Sequence, residues 1–133
     1  VANSWYNKGR QAFATAGVNW PSDTIKVSAV DSADYTPNLT AHQFYSSVTA
    51  GGIVSVATLA GKTATDGVLD ADDTTLPLVS GDQFELLVIW KDTGSSATSP
   101  LLLCIDTTTT GLPLTPNGSD VLVTWNASGI ARL

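Results

Sequence analysis

The chain has 133 residues, of which 43% are hydrophobic and only 14% charged, with a formal net charge of -6. That length predicts one domain over 1–133 with a self-sufficient core, and the acidic balance argues against a nucleic-acid partner, whose phosphates would repel it. About 25% charged residues is usual, so this surface must be covered in neutral polar groups, which suits lasting assembly or a carbohydrate partner.

At its start the chain reads Val1-Ala-Asn-Ser-Trp5, which has neither the basic nor the apolar stretch of a signal peptide. No apolar run approaches the ~20 residues of a membrane span, so no membrane partner is expected. Over residues 3–16, the spacing of Trp5, Tyr6, Gly9, Ala12, Phe13 and Ala16 predicts the one helix, N-capped by Ser4 and stopped by Gly17. Lys8 and Arg10 lie on its other side. They make an N-terminal helical arm of about residues 1–20 locally cationic, either a solvated face or a docking arm for an acidic neighbour. Residues 24–30 alternate, with Ile25, Val27 and Ala29 inward and Lys26 and Ser28 outward, as a half-buried strand does. A loop over 31–37 and one or two helical turns over 38–45 follow.

Further strands are expected at 53–59 and 74–79, separated by an acidic loop over 60–73; Pro77 places the later strand at a sheet edge. Phe84-Glu-Leu-Leu-Val-Ile-Trp90 and Leu101-Leu-Leu-Cys-Ile105 are strand-length apolar runs bounded by Gly and Pro. They predict a β-hairpin with neither face left in water. Its loop over 91–100, which begins at Lys91, is a place to look for a contact. Four threonines, Gly111, Pro113, Pro116 and Asn117-Gly118 make 107–120 a long turn region. A last strand at 121–125 and a short tail complete the chain. About six strands without helices between them predict an all-β fold, mainly an antiparallel β-sandwich or small barrel, with one N-terminal helix.

No catalytic constellation emerges. Cys104 is the only cysteine, so no intrachain disulfide forms, and its apolar strand makes it a buried thiol. Asp70-Ala-Asp72-Asp73 offers hard oxygen ligands but not the order of a calcium loop, so it reads as an exposed acidic loop. His42 has neither a nucleophile elbow nor a metal-ligand companion. Glu85 falls on the opposite strand face from Phe84 and Leu86, which predicts exposure over catalysis. Trp5, Trp20, Trp90 and Trp125 read as core or interface anchors, with a sugar-stacking platform as the alternative. The sequons at Asn38, Asn117 and Asn126 read as turns. Accordingly no cofactor, no metal and no catalytic residue is expected.

Trp5-Tyr-Asn-Lys-Gly-Arg-Gln-Ala-Phe13, Asp23-Thr-Ile-Lys-Val27, Asp34-Tyr-Thr-Pro-Asn-Leu39, Gly61-Lys-Thr-Ala-Thr-Asp-Gly67, Ser80-Gly-Asp82 and Leu112-Pro-Leu-Thr-Pro-Asn-Gly118 span nearly the whole chain. In order and spacing they resemble a family of small tailed-bacteriophage virion proteins. The resemblance implies a non-enzymatic structural protein made in the bacterial cytoplasm and carried on the virion. Its leading version is a capsid decoration (cement) protein on the capsid surface, partnered by the major capsid protein and by itself as a homo-oligomer, with a trimer favoured. Trp5, Tyr6, Lys8, Arg10 and Lys91 are then the expected capsid or subunit contacts. A tail or neck component and a carbohydrate-binding module of a fibre are the alternatives.

Overall fold

The computed structural model describes residues 3–133; Val1 and Ala2, the start of the expected arm, lie outside the described residues. In chain order the elements are β1 (Ser4–Trp5), α1 (Asn7–Ala14), β2 (Ile25–Val30), β3 (Ile53–Thr58), β4 (Thr63–Thr65), β5 (Val68–Asp70), β6 (Thr74–Leu76), β7 (Leu86–Lys91), β8 (Leu101–Ile105), β9 (Val121–Val123) and β10 (Ala131–Arg132). Single 3₁₀ turns occur at Tyr45–Ser47 and Ala50–Gly52. The fold is all-β, with antiparallel pairing throughout the sheets and one short helix near the N-terminus.

A five-stranded sheet in the order β1-β8-β7-β2-β3 forms the centre, flanked by a three-stranded sheet β10-β5-β4 and a ribbon β6-β9. The expected hairpin is present: β7 and β8 pair with Val88 opposite Cys104 and Ile89 opposite Leu103. The register shifts after Ile89, so Trp90 faces Leu101. Leu102 is thereby the extra residue and joins Leu103 on one side of the sheet, while Leu101 and Cys104 go to the other.

Both faces of the central sheet are covered, which is why its strands are continuously apolar. On one face Ile25, Val27, Ala29, Leu87 and Ile89 pack under Leu69 of β5 and Leu76 of β6, with Trp20 beside them. On the other, Val30, Leu86, Val88 and Trp90 pack under Tyr6, Tyr35, Tyr45 and Val48. The cover on this second face comes from Tyr6 and the segment 31–52, not from a sheet. Ser28, expected to face solvent, therefore lies beneath Tyr45 and is fully buried. The half-buried reading of β2 is corrected accordingly.

Two other expectations change. Ser4 does not cap the helix; it is paired in β1, with Ser4 opposite Cys104 and Trp5 opposite Leu103, and Tyr6 precedes the first helical turn. The helix itself is built into the body, because Tyr6 is fully buried and Gly9 rests directly on the backbone of Leu101 and Leu102. Where β1 ends, Tyr6 N donates to Leu102 O at 2.9 Å and α1 covers what remains of that edge. The loop expected at 60–73 contains the hairpin β4–β5, turned at Asp66-Gly67, both with positive φ (53° and 78°). The tail contributes β10, which pairs with β5.

Candidate functional site

The five residues expected to make contacts are not one surface. Tyr6 is in the core, with its hydroxyl 2.7 Å from that of Tyr35, and cannot meet a partner. Trp5 is half-buried with its ring edge-to-face against Phe13, centroids 5.6 Å apart. Lys8 and Arg10 bond locally, to Gln11 and Asn7, and Arg10 is exposed. Lys91 is half-buried, with Nζ 3.0 Å from Asp23 and 2.8 Å from the carbonyl oxygen of Gly17. It ties the end of β7 to the chain following the helix.

That pair has a consequence for acid stability. The Asp23 carboxylate accepts from the backbone N–H of Asn19 and lies beside the Lys91 ammonium, which together hold its pKa below the ordinary 3.8. Asp92 is held down likewise by its bond from Lys26, 2.8 Å away, and by the Gly94 N–H. A depressed carboxyl contributes stability that is complete above its unfolded value and lost as pH falls through the folded one. Urea unfolding midpoints should therefore fall as pH drops below about 4, and Asp23→Asn should flatten that decline. An unchanged pH profile in the variant would assign the acid sensitivity elsewhere.

Beneath the 31–52 cover runs a buried polar network. Trp90 Nε1 donates to Ser28 Oγ at 2.9 Å, Ser28 Oγ is 2.7 Å from Tyr45 Oη, and the Tyr45 and Trp90 rings stack at 3.7 Å. Nearby, Tyr35 Oη lies 3.0 Å from His42 Nδ1, which also receives the Asn38 backbone N–H at 3.2 Å. Because that N–H can only donate, Nδ1 is an acceptor and the proton of the neutral ring is on Nε2. Burial raises the hydroxyl of Tyr6, aided by its bond to Tyr35, and pushes the Tyr35 hydroxyl up to about 12. Burial also pushes the Cys104 thiol up to about 11, with Asp106 adding to the rise. These groups are protonated donors and acceptors at neutral pH, so the arrangement holds the loop cover in place and offers no activated nucleophile.

Two groups of carboxylates bear on a metal site. In the expected acidic loop, Asp70 Oδ1 accepts locally from Ala71 N, and Asp73 Oδ1 accepts from Trp125 N and ties the loop to the chain after β9. Asp31, Asp34 and Asp82, which sequence spacing did not bring together, have carboxylate oxygens within 4.8 Å of one another. Asp31 accepts from Ala33 N, while Asp34 and Asp82 are exposed. Glu85 is half-buried and binds Ser32 through its N–H and hydroxyl, both at 2.9 Å. It is a loop clamp.

An open concavity lies where no chemistry was expected. Two adjoining cavities, of about 410 and 460 Å³, share Leu87, Thr108, Thr109, Val123 and Trp125. One wall is the run 121–126, the other the threonine run 107–112, and Phe84 and Leu87 form the floor. No charged side chain borders either cavity among the described residues. Pro113 and Pro116 lack the N–H that would let the threonine wall continue as a strand beside β9. Asn3 anchors that wall at one end, accepting from the Asp106 and Thr107 N–H groups at 2.8 and 2.9 Å. The reciprocal bonds of Phe84 and Leu114, both 3.0 Å, anchor the other. Trp125 is fixed by its ring N–H donating to Thr74 Oγ1 at 3.1 Å. Leu122 projects from the β9 wall and remains 62% exposed.

Of the four tryptophans, Trp20 and Trp90 are buried, Trp5 packs on Phe13, and Trp125 alone borders the groove. No helix among the described residues is long and apolar enough to cross a membrane. No protein-family model matches the chain, and no curated protein sequence matches it.

Proposed function

We propose that this chain is a non-enzymatic virion structural protein, a capsid decoration protein that binds across neighbouring major capsid subunits as a small homo-oligomer. The observation that carries the reading is an uncharged, partly apolar groove held between two anchored walls on a protein with few charges. Such a surface favours extended contact over transient charge-steered encounter. The resemblance of its sequence blocks, from Trp5 to Gly118, to small tailed-phage virion proteins supports a place on the virion. The chemistry-bearing side chains support it too: Glu85, His42, Lys91 and Lys26 are each engaged in holding loops and strands together. A shell with repeated local symmetry axes favours a decorating protein of matching symmetry, here a trimer.

Light scattering of the pure protein should give a defined oligomer, and the protein should add to undecorated heads in a sedimentation assay. A stable monomer without affinity for the shell would overturn the reading, and co-purification with tails would move the protein to the tail or neck. The carbohydrate-binding alternative has less behind it, because the tryptophans do not form a shared exposed platform.

A further inference from the structure

The groove carries an inference about what fills it, independent of where in a virion, or whether in a virion, the protein acts. A cavity lying over the face of a strand is lined by alternate residues, because successive side chains point to opposite sides. Here the residues lining one wall are consecutive, 121–126, and so are those of the other, 108–112. The space therefore views β9 along its edge. β9 has β6 as its one strand neighbour, so its other edge carries backbone groups free of any strand partner. The facing threonine wall is held at both ends, by Asn3 at one and by the Phe84–Leu114 bonds at the other.

We propose that this channel accepts one extended, uncharged peptide strand from a different polypeptide, which pairs its backbone with the free edge of β9. β9 is three residues long, about 10 Å, so about three donor residues pair with it and the rest of a short donor segment runs past 124–126. Strand alternation turns every second donor side chain onto the floor of Phe84 and Leu87 and the rest toward solvent, so the donor carries apolar residues at alternate positions. The uncharged lining selects against acidic and basic donors, since a charge placed there would be desolvated without a partner. A second copy of this chain is a poor donor, because its own apolar strands are already paired within its sheets.

The test is a titration of ¹⁵N-labelled protein with the capped hexapeptide Thr-Val-Thr-Val-Thr-Val. The same peptide N-methylated at its valines, and maltohexaose as a neutral glycan, are run in parallel. Chemical-shift changes are expected to concentrate in 108–112 and 121–126, with amide exchange along β9 slowed about tenfold or more. The N-methylated peptide, which cannot complete the ladder, should bind at least about tenfold more weakly. Leu122→Asp and Thr109→Asp, both at exposed positions on opposite walls, should each weaken the unmodified peptide by about tenfold without loss of the folded spectrum. Equal binding of the N-methylated peptide, shifts centred elsewhere, or no binding would overturn the proposal. So would binding of maltohexaose in place of peptide, or a self-assembled oligomer that Leu122→Asp dissociates.

Discussion

Gly9→Ala is expected to destabilise the protein by about 2–3 kcal/mol, read as a lower urea midpoint with an unchanged slope. Helix propensity alone predicts the opposite sign, a gain of up to about 1 kcal/mol, because alanine is the better helix former. Packing decides the matter. A methyl carbon at position 9 would sit 2.6 Å from the Leu101 carbonyl oxygen and 2.9 Å from the Leu102 Cα. Both obstacles are backbone of a central strand, so neither can rotate away, and the helix must lift from β8. Lifting it would also strain the Tyr6 N–H bond to Leu102 O. A variant as stable as the parent would mean that the helix does not rest on β8 as described.

The second large effect belongs to Ser28. Ser28→Ala removes the acceptor of the Trp90 ring N–H and the partner of the Tyr45 hydroxyl. Trp90, Tyr45 and Ser28 are all buried, and an orphaned buried polar group costs about 1–3 kcal/mol, so a loss of about 2–4 kcal/mol is expected. Adding Tyr45→Phe deletes one of the two stranded groups and should recover about 1 kcal/mol of it. The double variant being more stable than Ser28→Ala alone is the diagnostic result, since simple loss of packing would make it less stable. Burial raises the Tyr45 hydroxyl above its ordinary value, so this group is neutral across the range in which the unfolding is measured.

The 84–105 hairpin was legible in sequence because two short apolar runs bounded by Gly and Pro favour strand over the competing helix. What the runs could not show was the source of their second cover. β2 alternates as if one face were wet, and Ser28 looks like a solvent residue. Only the tertiary placement of Tyr45, from a segment with hardly any regular structure, buries it. Asp66-Gly67 was a readable signal, since Asp-Gly between short β-prone runs favours a two-residue hairpin turn. Its acidic surroundings drew the reading toward a loop. The two-residue strands β1 and β10 have no periodicity to read and exist because a partner edge accepts them. The groove is not legible in the sequence for a related reason. Its two walls come from separate runs, each of which reads alone as ordinary turn or strand. Lys91 was visible as a lone charge after an apolar strand, but Asp23, far earlier in the chain, could not be seen beside it.

The register of β1 bears on how the protein is made. Ser4 is paired with Cys104 and Trp5 with Leu103, so β1 is synthesised about 100 residues before the strand it pairs with. At about 5–20 residues per second, it waits roughly 5–20 s for its partner to be synthesised. During that interval β1 has no strand edge to pair with, although β2 can already pair with β3. A fusion or truncation that delays or removes β8 should therefore release a nascent chain that depends on chaperones, while one that leaves 1–105 together should not.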